Sequence, residues 1–194
     1  IDILKRLGVN TISLSVSDVF NDVRNNEIIG TSEKTTITLE PLIKFLKNHK
    51  FNVRLSLNML KSYNTKTPVE ILERCKELGA DQVTFRKMYS ALDDHSSEAV
   101  WVTGNSCSNL KISEIIEYIA GGRDFIDPRV TVRGHGKYLY ALPFGAKVYS
   151  IFGMSTVVDD DCISLQNDEA LKYVILRENG KLYARWDDEG SLIF

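Results

Sequence analysis

Three segments of the chain alternate polar and apolar residues, and their polar members carry groups suited to binding anions and other polar ligands. The segments are residues 11–18, 51–60 and 82–88. The polar members on one side of the alternation are Ser13, Ser15, Ser17, Arg54, Ser56, Asn58, Thr84 and Arg86. Because successive side chains of a strand point to opposite faces, each segment is predicted to be a strand with one polar face.

Amphipathic helices are predicted before the second and third strands. Residues 39–49 repeat apolar side chains at helical spacing, and residues 68–78 do so behind Thr67, a capping residue, and Pro68. Alternating strands and helices are typical of parallel sheets with crossover helices, whose chemistry lies where the strands end. An antiparallel sheet with a solvated face is the alternative interpretation, which the intervening helices disfavour.

The polar sides of these strands predict a ligand site. Helices normally cover both faces of a parallel sheet, so both faces are expected to be apolar. A polar face shared by three successive strands therefore predicts a polar lumen that contains a ligand or water instead of a filled core. The residues predicted to line it include Ser13, Ser15, Arg54, Asn58 and Arg86.

The rest of the chain has a different character. Residues 93–109 are polar and are predicted to form a long loop, followed by a helix over residues 111–120. Short strands are predicted at 138–142, 146–151 and 154–158, and a hairpin at 171–186 around an Asn-Gly turn. The chain is thus predicted to have two parts, an α/β part over residues 1–127 and a β-rich extension over residues 128–194.

Composition limits the possible functions. The 194 residues include 26% charged and 43% hydrophobic side chains and carry a formal charge of -2. This is ordinary for a soluble globular protein and provides no basic surface for nucleic acid. No apolar run long enough to cross a membrane and no secretory signal are present, so a cytoplasmic protein is expected. Ile1 falls within a predicted helix, so we expect a cropped or processed N-terminus.

Cysteines and charged clusters predict no metal site. Cys75, Cys107 and Cys162 are too widely separated for metal-ligand spacing and too few for a disulfide framework. The aspartates at 159–161 are interpreted as a solvated acidic turn. The glycine-rich stretch 133–137 is interpreted as a strand connection, because no helix follows whose N-terminus would bind a phosphate.

The order of these segments resembles that of radical S-adenosylmethionine (SAM) enzymes. Ile-Ser-Leu-Ser-Val-Ser-Asp is similar to their fourth strand, and Asn-Val-Arg-Leu-Ser-Leu-Asn-Met-Leu-Lys-Ser-Tyr-Asn is similar to their fifth. Glu-Leu-Gly-Ala-Asp-Gln-Val-Thr-Phe-Arg-Lys-Met resembles their fifth helix and sixth strand. The resemblance covers residues 1–90 and is strongest to activase-like and molybdenum-cofactor-biosynthesis A-like members. Its specificity lies in the order and spacing of the motifs.

The resemblance implies an incomplete parallel (β/α) barrel of the radical SAM type, similar to part of a TIM barrel, with a C-terminal β-rich extension. In this family a C-x-x-x-C-x-x-C loop binds a [4Fe-4S] cluster, and SAM cleavage yields a 5'-deoxyadenosyl radical that abstracts a substrate hydrogen. This chain lacks that loop and the family's glycine-rich SAM motif. The resemblance therefore implies the C-terminal fragment of an enzyme, without a cluster in this chain and inactive alone.

The same resemblance implies part of a SAM pocket. Ser15 takes the position of a family hydroxyl that contacts SAM. Arg54 takes that of a basic residue that pairs with the SAM carboxylate, which a guanidinium binds through two charge-assisted hydrogen bonds. An outer salt bridge is the alternative interpretation of Arg54. Ser13, Asn58 and Arg86 are further cofactor-binding candidates on the same face, and the catalytic residues stay unassigned.

Two other functions compete with this one. A non-catalytic partial barrel would bind a peptide or protein partner through Tyr173, Tyr183 and Trp186 of the hairpin, although alternation puts the last two on opposite faces. A hydrolase or aldolase fragment is disfavoured, because no lysine or carboxylate pair is predicted at the strand ends. The substrate, a small molecule or a peptide, is unidentified, and the open barrel edge predicts a dimer.

Overall fold

The computed structural model describes residues 1–89, 95–123, 131–142, 145–159, 175–176, 179–184, 190 and 192–193. The chain divides into two compact units, residues 1–162 and residues 163–194. The first unit is an α/β structure built on a six-stranded sheet whose strands are mostly parallel. The α/β class predicted from the sequence is confirmed.

The described residues of the first unit form six α-helices and eight strands. Its helices are α1 Asp2–Arg6, α2 Asp22–Ile29, α3 Leu39–Asn48, α4 Pro68–Glu77, α5 Ser97–Asn105 and α6 Asn109–Ala120. Its strands are β1 Thr11–Val16, β2 Asn52–Met59, β3 Gln82–Lys87, β4 Gly121–Arg123, β5 Thr131–Arg133, β6 Lys137–Ala141, β7 Lys147–Ile151 and β8 Met154–Asp159. Short 3-10 helices occupy Glu33–Thr35 and Lys61–Thr65.

The main sheet has the strand order β1-β2-β3-β8-β7-β6. Strands β1, β2, β3 and β8 are parallel, and β7 and β6 continue the sheet in antiparallel pairing. The parallel neighbours β1, β2 and β3 follow one another in the chain, as in the predicted βα series. Strands β4 and β5 form a separate antiparallel ladder.

The hydrophobic core lies on one face of this sheet. Alternate residues of β2 point to it and are fully buried, and the apolar sides of α3 and α4 pack in the same cluster. The shared core residues include Ile43, Leu46, Val53, Leu55, Leu57, Ile71, Leu72, Val83 and Phe85. Both crossover helices therefore cover the same face. This leaves the other face of β1, β2 and β3 for the polar residues.

The prediction of a long loop over residues 93–109 is wrong, because residues 97–105 form α5. Ser96 caps this helix by accepting a hydrogen bond from the Ala99 N–H at 3.0 Å. The helix buries only Ala99 among its residues, so it lacks the apolar periodicity that identifies a helix in sequence. The other helices and strands predicted within residues 1–159 are confirmed, with ends that differ by at most two residues.

Strands β6, β7 and β8 extend the main sheet. The parallel pairing of β8 with β3 is a long-range contact that residue patterns do not specify. The division after residue 162 therefore does not coincide with the boundary predicted at residue 127. Gly134 explains the glycine-rich stretch, because a Cβ there would lie 2.3 Å from the backbone of Ala120.

The second unit contains the predicted hairpin. Strand β9, Ile175–Leu176, pairs antiparallel with β10, Leu182–Tyr183, around Gly180 at a φ of 75°. The Tyr183 side chain is buried and its hydroxyl accepts a hydrogen bond from Asn179. Tyr173 and Trp186 lie outside the described residues. In the part of the chain that the structure describes, no helix has the length and apolar character to cross a membrane.

Candidate functional site

The polar side chains of β1, β2 and β3 share the sheet face opposite α3 and α4. In the register of the parallel strands, Ser13 is aligned with Arg54 and Gln82, and Ser15 is aligned with Ser56 and Thr84. Asn58 is aligned with Arg86 in the next row. We call this surface the polar face, and it consists of Ser13, Ser15, Arg54, Ser56, Asn58, Gln82, Thr84 and Arg86.

The five cofactor-binding candidates all lie on the polar face. Ser15 and Arg54 stand on adjacent strands one row apart, so strand geometry puts their Cα atoms about 8 Å from each other. Ser13, Ser15, Arg54 and Arg86 are exposed, and Asn58 is half-buried. The structure therefore brings these groups together, on a surface that is open to solvent in the described part of the chain.

Arg54 is held in place by its neighbour on β3. Its Nε–H donates a hydrogen bond to Oε1 of Gln82 over 2.7 Å. Among the described residues no carboxylate forms an ion pair with Arg54, so the salt bridge considered from the sequence is not found there. The terminal guanidinium nitrogens thus retain the paired donors that bind a carboxylate.

A buried amide cluster adjoins the polar face where β1 ends. The Ser17 N–H donates to Oδ1 of Asn25 over 2.8 Å, and Nδ2 of Asn58 donates to the Ser17 hydroxyl over 3.3 Å. Asn25 is 1% exposed, and its Nδ2 has no hydrogen-bond partner among the described residues. A buried donor without an acceptor is unfavourable. This position therefore favours a ligand or water that supplies an acceptor.

Asn25 is a site residue that the sequence interpretation missed. It lies in α2, which has little amphipathic character, next to a second asparagine, Asn26. The Asn26 amide is fully used, because it donates to two backbone carbonyls and accepts from Ile37 and Thr31. A pair of asparagines within a helix is an available signal, since amides disfavour helix interiors unless they have tertiary partners.

The cysteines do not form a cluster site in the described part of the chain. Burial raises the pKa of the Cys75 thiol to about 12. Burial also raises the pKa of Cys107 to about 11, opposed by the charge of Lys111. Cys162 lies outside the described residues, which contain no group of three or more His, Cys, Asp or Glu able to hold a metal ion. These residues therefore do not fit a [4Fe-4S] cluster, which needs thiolate ligands.

No protein-family model, curated protein or solved structure matches this chain. The radical SAM resemblance therefore has neither support nor contradiction from relatives.

Proposed function

We propose that the polar face is one wall of a SAM pocket in a radical SAM enzyme, of which this chain is the C-terminal part. The chain would contribute cofactor-binding groups and the substrate side, for hydrogen abstraction from a substrate that is not identified. The support is chemical and geometric. Hydroxyl, guanidinium and amide groups from three successive parallel strands share one face, while the crossover helices cover the other.

The orientation of the Arg54 guanidinium is the main support for the proposal. This guanidinium is oriented by Gln82 and has no carboxylate partner in the described part of the chain. Arg54 also lies next to β1, the strand that contains Ser13 and Ser15. An α-amino acid carboxylate, such as that of SAM, matches the two parallel donors of a guanidinium. The flanking hydroxyls both donate and accept, so they suit the remaining polar atoms of the same ligand.

SAM fits the residues of the polar face, whereas the cluster does not fit the described residues. In the proposal, a C-x-x-x-C-x-x-C segment upstream of Ile1 holds the cluster. SAM, when bound, supplies the radical chemistry of hydrogen abstraction. This chain would bind the SAM carboxylate through Arg54 and would orient the ligand through Ser13 and Ser15. Asn25 would donate a hydrogen bond through its Nδ2, which has no acceptor among the described residues.

Partner binding through the hairpin aromatics is the competing function. It has less support because Tyr183, the one of its three aromatics within the described residues, is buried at 6% exposure and bonded to Asn179. A buried side chain does not offer a docking surface. The SAM proposal therefore has the stronger physical basis.

Substitution of Arg54 tests the proposal. In protein expressed from the complete reading frame, Arg54→Ala is expected to weaken SAM binding by about 1.5–3 kcal/mol, the usual contribution of a charged hydrogen bond. Isothermal titration calorimetry measures the affinity. Arg6→Ala is the matched control, because Arg6 is exposed in α1 and outside the polar face. Equal SAM affinity of the Arg54→Ala variant and the unmodified protein would remove Arg54 from the pocket.

A further inference from the structure

A second candidate site lies beside the carboxyl ends of β1 and β2. A cavity of about 680 Å³ is lined there by residues of α2, of α5 and of the segment after β2. The lining includes Asn21, Arg24, Glu27, Leu60, Trp101 and Asn105. None of them belongs to the polar face. The volume of the cavity is within the usual range for pockets that bind small molecules. Parallel sheets bind ligands at the carboxyl ends of their strands, where this cavity lies.

Trp101 gives the cavity an aromatic surface. Its side chain lines the cavity with the aliphatic Leu60, and Trp101 is 43% exposed although it is a large apolar residue. An indole that is neither buried nor fully solvated presents a π-surface on which a planar ring can stack. The cavity therefore favours a flat aromatic ligand over a flexible aliphatic one.

Among the described residues, the side-chain amides of Asn21 and Asn105 each have one hydrogen-bonded atom, which is an oxygen in Asn21 and a nitrogen in Asn105. Oδ1 of Asn21 accepts a hydrogen bond from the Arg24 N–H at 3.0 Å, and Nδ2 of Asn105 donates to the Trp101 carbonyl at 2.8 Å. In the described ranges of the chain, Nδ2 of Asn21 and Oδ1 of Asn105 have no partner. One donor and one acceptor thus remain for a ligand that carries an acceptor and a donor on its ring edge.

The charges of the lining argue against a phosphorylated ligand. Arg24 and Glu27 contribute one positive and one negative charge, and the Nε atom of Arg24 lies 4.0 Å from the Asp18 carboxylate. A phosphate would need an excess of positive charge that these residues do not provide. The lining is therefore suited to a neutral ring.

We propose that this cavity binds a nucleobase, either free or as a nucleoside. A nucleobase is planar, carries donors and acceptors on its edge, and stacks on tryptophan. Trp101 would stack on the ring, and the amides of Asn21 and Asn105 would bind its edge. The inference does not depend on the SAM proposal, because the two sites share no residue.

Tryptophan fluorescence tests this proposal. Trp101 and Trp186 are the two tryptophans of the chain, so Trp186→Phe leaves Trp101 as the sole indole reporter. Titration of this variant with adenosine, guanosine, cytidine and uridine is expected to give saturable quenching with at least one of them. Quenching that rises linearly for all four, as for collisional quenching, would overturn the proposal.

Two further variants in the Trp186→Phe background test the edge contacts. Asn21→Ser keeps a residue that caps α2 but removes the amide donor, and Asn105→Ala removes the acceptor. Each is expected to raise the Kd for the nucleoside about fivefold, as the loss of one neutral hydrogen bond does. The control is Asn48→Ala at the exposed end of α3. An unchanged Kd in both folded variants, checked by circular dichroism, would overturn the proposal.

Two more measurements separate this site from the polar face and from a phosphate site. Thr84→Val, on the polar face, is expected to leave the nucleoside Kd unchanged, and a higher Kd in this variant would show that the base binds on the polar face instead. Adenosine 5'-monophosphate is expected to bind no more tightly than adenosine. Tighter binding of the monophosphate would overturn the assignment of a neutral ligand.

Discussion

Thr156 and Asn25 are two buried residues whose side chains each retain an unpaired polar atom among the described residues. Their surroundings differ. Thr156 is aligned with Val83 in the sheet, so its hydroxyl points into the apolar core against the crossover helices. Asn25 lies beside Ser17 at the border of the polar face. An unpaired atom in the core only costs stability, whereas one at the border of a polar site offers a ligand contact.

Thr156→Val is therefore expected to stabilise the protein. Valine has nearly the shape of threonine and removes a fully buried hydroxyl that has no partner in the described part of the chain. The free energy of unfolding, measured by urea denaturation, is expected to rise by about 1 kcal/mol. Thr84→Val, at a half-buried position of the polar face, is the matched control. A lower unfolding free energy for Thr156→Val would contradict this explanation.

At the scale of the element, α4 has the most complete N-terminal cap among the described α-helices. The hydroxyl of Thr67 accepts from the Glu70 N–H, and the Glu70 carboxylate accepts from the Thr67 N–H at 2.8 Å. The Glu70 carboxylate accepts hydrogen bonds from the Thr67 N–H and from the Thr67 hydroxyl, and these two bonds, the backbone one first, lower the pKa of Glu70 below its ordinary value of 4.5. The sequence predicted Thr67 as the cap and Pro68 in the first turn, and the structure adds the hydrogen bonds of Glu70, three residues after the cap.

This capping box predicts a pH effect. Because the folded pKa of Glu70 is lowered, its stabilising contribution is present above pH 4.5 and is lost as the pH falls through the folded pKa. Glu70→Gln is therefore expected to lower the unfolding free energy at pH 7 and to differ less from the unmodified protein at pH 3. Urea denaturation at both values measures this, with Glu73→Gln in the same helix as control. A difference that stays constant between the two values would refute it.

At the scale of the whole molecule, the main sheet has two edge strands within the described residues, β1 and β6. Strand β6 has a register irregularity between Tyr138 and Tyr140 and begins with Lys137, two features that discourage edge pairing. Strand β1 has no charged residue, and its apolar Ile12 and Leu14 are only half-buried, whereas Val53 and Leu55 of β2 are fully buried. The β1 edge is therefore the more prone to association.

This edge predicts self-association of the chain. Light scattering over increasing concentration is expected to show a mass that rises from one chain towards two. Leu7→Glu is expected to reduce the rise, because it places a charge on a residue that is 74% exposed shortly before β1. Glu27→Gln in α2 is a control for a surface change elsewhere in the chain. A mass of one chain at every concentration would contradict the prediction.

The sequence alone determined the α/β class, the strands β1, β2 and β3, and the helices α3 and α4. These elements follow from residue periods of two and 3.6 and from local caps, which act over a few neighbouring residues. It also indicated which side chains share the polar face, since alternation along a strand does not depend on distant contacts. Helix α5 was not predicted, because its apolar residues have no helical period and its stability depends on a cap and on packing.

Only the tertiary structure decided which groups of different strands become neighbours. The register that puts Gln82 beside Arg54, the insertion of β8 next to β3, and the cavity between α2 and α5 all join residues far apart in the chain. Such contacts are selected by the packing of the whole core and by loop closure, which local patterns do not encode. The unpaired amide of Asn25 became visible for the same reason, because burial is a property of the folded chain.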